Sequence, residues 1–90
     1  MRRSKLETYV DILKVLAHSS PLKLTHIMSK ANVNGSMLKE YLSFLISQGL
    51  VEERTMKKKS SVFAVTQRGI TVLKQLRELA QVLPIEEARR

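Results

Sequence analysis

Apolar residues recur every three or four positions through the first half of the chain. The period then shortens across a brief central run and returns to three and four near the end. From Leu6 to His18 the recurrence is Leu6, Tyr9, Val10, Leu13, Leu16 and Ala17, with Ile12 and Val15 on a neighbouring face. That spacing predicts a first helix. Ser4 followed by Glu7 has the capping-box separation, which makes Ser4 its N-cap. Ser19-Ser20-Pro21 ends it, because proline disfavours helical backbone in the residue before it. Leu24, Ile27, Met28 and Ala31 predict a second helix over Leu24 to Lys30, followed by a tight turn at Ala31-Asn32-Val33. Leu38, Leu42 and Leu45, with Met37, Tyr41 and Phe44 widening the stripe, predict a third helix from Asn34 to about Ser47. Asn34 suits the N-cap and Gly49 the left-handed stop. Residues 24–48 therefore read as a helix-turn-helix, and the chain is organised around it.

The central run has strand character. Leu50-Val51-Glu52-Glu53-Arg54-Thr55 predicts one strand and Val62-Phe63-Ala64-Val65 its partner. Met56-Lys57-Lys58-Lys59-Ser60-Ser61 lies between them without an Asn-Gly or Asp-Gly signal, so a longer hairpin tip is expected. Glu52 and Glu53 fall at the hairpin base, away from the phosphates that the lysines would meet. A hairpin over 50–65 behind a helix-turn-helix is the wing of a winged-helix domain. The last helix is expected over 66–83, with Thr66 as N-cap, Gly69 permitting close packing and Pro84 closing it. It carries two apolar stripes. Ile70, Leu73 and Ala80 form one, and Val72, Leu76, Leu79 and Leu83 step by four, three and four in the other, the spacing of a coiled-coil seam. One stripe can cover the domain's own core; the other is expected to form a homodimer interface, helped by the first helix. The fold class is mainly α with a small β-hairpin, one winged helix-turn-helix domain over residues 1–90.

Charge adds the direction of function. Sixteen Lys and Arg face eight Asp and Glu, a net charge of +8 with a sequence pI near 10.2. A balance this basic favours polyanions, nucleic acid before acidic lipid or protein. The chain has no cysteine, so disulfides and thiolate metal sites are excluded. The two histidines, His18 and His26, have no companions at ligand spacing, and His26 suits a structural or surface hydrogen-bonding role. There is no phosphate-cradling glycine loop, carboxylate pair or triad. No enzyme activity, cofactor or small-molecule ligand is expected. No apolar run reaches a membrane span and no signal core follows the basic start, so a cytoplasmic, nucleoid-associated protein is expected.

The segments Leu24-Thr25-His26-Ile27-Met28-Ser29-Lys30-Ala31-Asn32 and Leu38-Lys39-Glu40-Tyr41-Leu42, the Gly49-Leu50 stop and the Thr66-Gln67-Arg68-Gly69 helix start resemble the archaeal winged-helix family that includes the small basic chromatin proteins. The resemblance spans roughly Ser4 to Leu83. It implies DNA binding and a homodimer formed through C-terminal helices packed antiparallel. Two positions depart from the family: the last helix stops near Pro84, and Ala64 stands where the family often has an aromatic.

The partner expected is therefore double-stranded DNA, with the third helix in a major groove. Ser36, Lys39 and Ser43 are the side chains expected near base edges or adjacent phosphates. Lys23, Thr25 and Lys30 are expected on the backbone around the second helix. Arg2 and Arg3 on the basic arm over 1–5, and Lys57, Lys58 and Lys59 on the wing, are expected to meet phosphates. Gly35 to Ser47 holds no Arg, Asn or Gln, so modest sequence specificity is expected. The competing expectation is a winged-helix module that binds a protein partner in a transcription or replication assembly.

Overall fold

In a computed structural model, which describes residues 3–56 and 60–82, the elements run α1 (Lys5–Ser19), β1 (Leu22–Lys23), α2 (Leu24–Ala31), α3 (Gly35–Ser47), β2 (Val51–Thr55), β3 (Ser61–Val65) and α4 (Gln67–Val82). Both halves of the capping box form at the start of α1. Ser4 Oγ accepts from Glu7 N at 3.1 Å, and Glu7 Oε1 accepts from Ser4 N at 2.8 Å. The buried face of α1 is Thr8, Ile12, Leu13 and Leu16. Ile12 is at the centre of that face, whereas Leu6 is 42% exposed and Ala17 is exposed. The inward face is rotated from the expected one because α1 is packed against α2, β3 and α4 at once. The Thr8 hydroxyl donates to Ser4 O at 3.1 Å, so its burial leaves no unpaired polar atom.

The turn between α2 and α3 rests on two asparagines with different tasks. Asn32 takes the left-handed conformation (φ 57°) that ends α2, and its N–H donates to Met28 O. Asparagine enters that region at lower cost than most residues. Asn34 caps α3, its Oδ1 accepting from Met37 N at 2.9 Å. At the other end Leu50 N donates to Leu45 O (2.9 Å) and Gly49 N to Ile46 O (3.0 Å), with Gly49 at φ 75°. That is the Schellman pattern, and it needs a residue free to take positive φ.

The sheet has three antiparallel strands in the order β1-β3-β2, not the two that the sequence predicts. Val51 pairs with Val65 and Thr55 with Ser61, while Leu22 and Lys23 pair with Phe63 and Val62. β1 is two residues long, too short to show a period. Its presence makes β3 the central strand, and Val62, Phe63 and Ala64 are accordingly buried. Ala64 packs there without the aromatic of the resembling family.

α4 is fastened to the end of α3 by a compact set of bonds. Thr66 Oγ1 accepts from Gly69 N (3.0 Å) and donates to Gly49 O (2.6 Å), and Thr66 N donates to Leu50 O (3.0 Å). Gly69 is buried against Leu50. Beyond it only Leu73 is buried, and Val72 and Leu76 are half-buried. The first half of α4 thus covers the core. Ile12, Leu13, Leu16, Ile27, Leu38, Leu42, Leu45 and Val51 are the largest fully buried side chains at its centre.

Candidate nucleic-acid interface

α3 buries Leu38, Tyr41, Leu42 and Leu45 and leaves Ser36, Lys39, Glu40, Ser43 and Ser47 exposed. The expected readers Ser36, Lys39 and Ser43 therefore lie on one outward surface. Lys39 and Ser43 also line a cleft between α3 and the sheet, whose floor is Leu24, Leu42, Ile46 and Phe63. Glu53 is the remaining lining residue. Glu53 at the hairpin base thus looks into the cleft beside Lys39 and Ser43, a placement the sequence reading did not give. In a strand, side chains alternate, so Glu53 shares the face of the buried Val51 and looks toward α3. Glu52 falls on the other face, where it accepts from Arg54 at 3.1 Å.

Two residues assigned to the core of α3 are not in it. Met37 and Phe44 are each 47% exposed. At about 100° per residue they sit roughly 100° to one side of the Leu38–Leu42–Leu45 line, on the flank nearer α1. Tyr9 of α1 meets Phe44 there, its ring 5.3 Å from that of Phe44 and 4.7 Å from that of the buried Tyr41.

The cations expected on the DNA backbone divide. Lys23 and Thr25 are exposed at the β1–α2 junction, beside the Leu24 edge of the cleft. Lys30 is exposed, but it lies with Lys14, Val15, His18 and Ser19 in a depression between α1 and α2. It is about 140° around α2 from Thr25, so the two do not share a face. Arg3 is taken up by the protein itself. Its guanidinium donates to Asp11 Oδ2 (2.8 Å), to Ala31 O (2.7 Å) and to Asn32 O. It ties the start of α1 to the turn of the helix-turn-helix. Arg2, Lys57, Lys58, Lys59 and Leu83 lie outside the described residues. Met56 N donates to Ser60 O at 2.6 Å, so the ladder runs one step past Thr55–Ser61.

His18 and His26 are both exposed. Among the described residues, no group of three or more His, Cys, Asp or Glu could hold a metal, and no helix is long and apolar enough to cross a membrane.

A tri-helical core with a capped helix-turn-helix, and a hairpin hung on its central strand, defines a winged helix-turn-helix domain. The family model described as winged helix-turn-helix matches residues 2–83, and the chain belongs to that family. It is 30% identical over 82 residues to an uncharacterised protein of Methanocaldococcus jannaschii, a match covering 91% of this chain and 78% of that one. Among solved structures it is similar to a MarR-family transcriptional regulator from Silicibacter pomeroyi, with a TM-score of 0.75 and 25% identity over 79% of this chain and 49% of that one. The transcriptional regulator BldR from Sulfolobus solfataricus has the same fold, with a TM-score of 0.76 at 22% identity over 90% of this chain and 59% of that one. The chain thus spans about half the length of the Silicibacter regulator.

Proposed function

We propose that this chain is a double-stranded DNA-binding transcriptional regulator that works as a homodimer, with α3 in a major groove and the basic wing on the flanking backbone. The observation that carries this reading is the outward surface of α3. Ser36, Lys39 and Ser43 stand clear of the core beside the wing's base, on a chain of net charge +8. Lys39 can donate to a guanine edge, and the serines to either base type. Lys23 and Thr25 flank the cleft and suit phosphate contacts that set the register. Arg2 and Lys57, Lys58 and Lys59 supply the remaining cations.

The dimer reading rests on the distal half of α4. Leu79 is 47% exposed and continues the stripe of Val72 and Leu76. Leu6 and Val10 of α1 face Leu76 and Ala80 across an open groove, so both helices contribute apolar surface to one side of the molecule. Leu83 is the next residue of that stripe. A chromatin role is the form this function takes if binding has no sequence preference.

Fluorescence anisotropy across a salt series tests the reading. If Arg2, Lys23, Lys39 and the three wing lysines meet phosphates, the log–log slope is roughly −5. Replacing Lys57, Lys58 and Lys59 with Ala halves it. Failure of the wild type to bind duplex at low salt, or an unchanged slope in the variant, overturns the reading. Preference for the protein's own upstream DNA over a random duplex indicates autoregulation, and equal affinity indicates the chromatin role.

A further inference from the structure

Met37 and Phe44 are seven residues apart on α3, two turns along the same edge of its outward surface, with Glu40 exposed between them. A rise of 1.5 Å per residue puts their Cα atoms about 10.5 Å apart along the helix. Neither is needed to close the core, which Leu38, Tyr41, Leu42 and Leu45 already fill from this helix. Phe44 is not a loose side chain, because its ring stacks against Tyr9 at 5.3 Å and an interplanar angle of 43°. Tyr9 in turn meets the buried Tyr41 edge-on at 4.7 Å and 78°. The aromatic stack holds an apolar knob at the side of the helix that the rest of the molecule presents to DNA.

The chemistry of that edge narrows what it can read. From Gly35 to Ser47 the helix offers one cation, one carboxylate, three serines, and no Arg, Asn or Gln for bidentate purine contacts. The apolar group that base edges display in a major groove is the C5 methyl of thymine, and apolar side chains pack on it. A carboxylate is repelled by phosphate but accepts from the N4 amino group of cytosine. Glu40 therefore has a use in the floor of the groove and none on its walls.

We infer that α3 recognises a pyrimidine-bearing strand, with Met37 and Phe44 packing on thymine methyls and Glu40 accepting from a cytosine amino group between them. This rests on the DNA-binding reading and deepens it. With a rise of 3.4 Å per base step, the two methyls lie about three base pairs apart.

The test removes methyl groups and nothing else. Duplexes enriched from a random pool by the full-length chain are remade with deoxyuridine in place of thymine, and affinities are measured by anisotropy at fixed salt. Wild type binds the uridine form about fourfold more weakly for each contacted methyl lost. Phe44→Ala and Met37→Ala each lose the discrimination of one methyl, and the double variant binds both forms alike with an unchanged salt slope. Met37→Ala, outside the aromatic stack, keeps the test valid if Phe44→Ala unfolds. Glu40→Gln moves the preference at one position from cytosine to adenine. Equal affinity of wild type for the two forms, or a pool from which no sequence is enriched, overturns the inference while duplex binding and its salt slope keep the DNA-binding reading intact. Met37 and Phe44 then belong to a protein-docking surface. Absence of duplex binding at low salt removes both readings.

Discussion

Gly69→Ala is the substitution whose outcome the packing defines most sharply. In an exposed helix the change stabilises by about 1 kcal/mol, because alanine loses less backbone freedom. At this site the added Cβ falls 2.2 Å from Leu50 O, 2.7 Å from Val65 Cγ2 and 3.1 Å from Leu50 C. The oxygen contact is roughly 1 Å short of an ordinary one. Leu50 O can turn aside only by giving up the bond it accepts from Thr66 N at 3.0 Å, in the turn that ends α3. Overpacking of this kind costs about 1–3 kcal/mol, and a neighbour that is backbone rather than a flexible side chain puts it at the upper end. Losing the Thr66–Leu50 bond costs about 1 kcal/mol more. Set against the propensity gain, the net loss is about 3 kcal/mol, which lowers Tm by about 12–24 °C in a domain of this size. Thermal unfolding followed by circular dichroism at one protein concentration measures it. Gly35→Ala is the matched control, because its Cβ meets only the flexible end of Met28 at 3.5 Å, and its stability stays within about 1 kcal/mol of wild type. A Gly69→Ala protein as stable as wild type refutes the claim that α4 is seated on the α3–β2 junction.

Three further substitutions separate the roles assigned above. Arg3→Ala lowers stability by roughly 1 kcal/mol, because the guanidinium is about a third exposed and its bonds are screened. It leaves the DNA salt slope unchanged, whereas a phosphate contact would remove about 0.9 from it. Glu53→Gln, which takes a negative charge out of the α3–sheet cleft, strengthens nonspecific duplex binding by up to about fivefold. A weakening there means that the carboxylate accepts from a base. Leu79→Glu, on an exposed site that the monomer's core does not use, shifts the sedimentation-equilibrium mass toward the monomer; an unchanged mass removes α4 from the dimer interface.

The features that were legible in the sequence are those decided by neighbours along the chain. Ser4 with Glu7, Asn34 with Met37, Gly49 after a helical run and Thr66 before Gly69 are local chemistry, and each does what its spacing predicts. Arg3 was unreadable for the opposite reason, since its acceptors at Ala31 and Asn32 are 28 and 29 positions away. β1 escaped because a strand of two residues has no period. On α3 the apolar residues outnumber what one face can bury, and the sequence of the helix does not say which flank its neighbours cover. Tyr41 turned inward while Met37 and Phe44 did not. Glu53 was within reach of a sequence reading, because it lies two positions from the buried Val51 on an alternating strand.

The central place of β3 bears on how tightly such a protein can hold its ligand. Along this one strand Lys23 is opposite Val62 on one side and Arg54 is opposite the same Val62 on the other. The entrance to α2 and the wing are thus hung from a common beam. A wing on a floppy tether would lose freedom anew when it reached the backbone, and that loss would offset part of its attraction. Here the base of the wing and the entrance to α2 are hydrogen-bonded to the same strand. On the proposed DNA-binding reading, a helix-turn-helix seated on a duplex would bring the base of the wing up already aligned, with less freedom left to lose on binding.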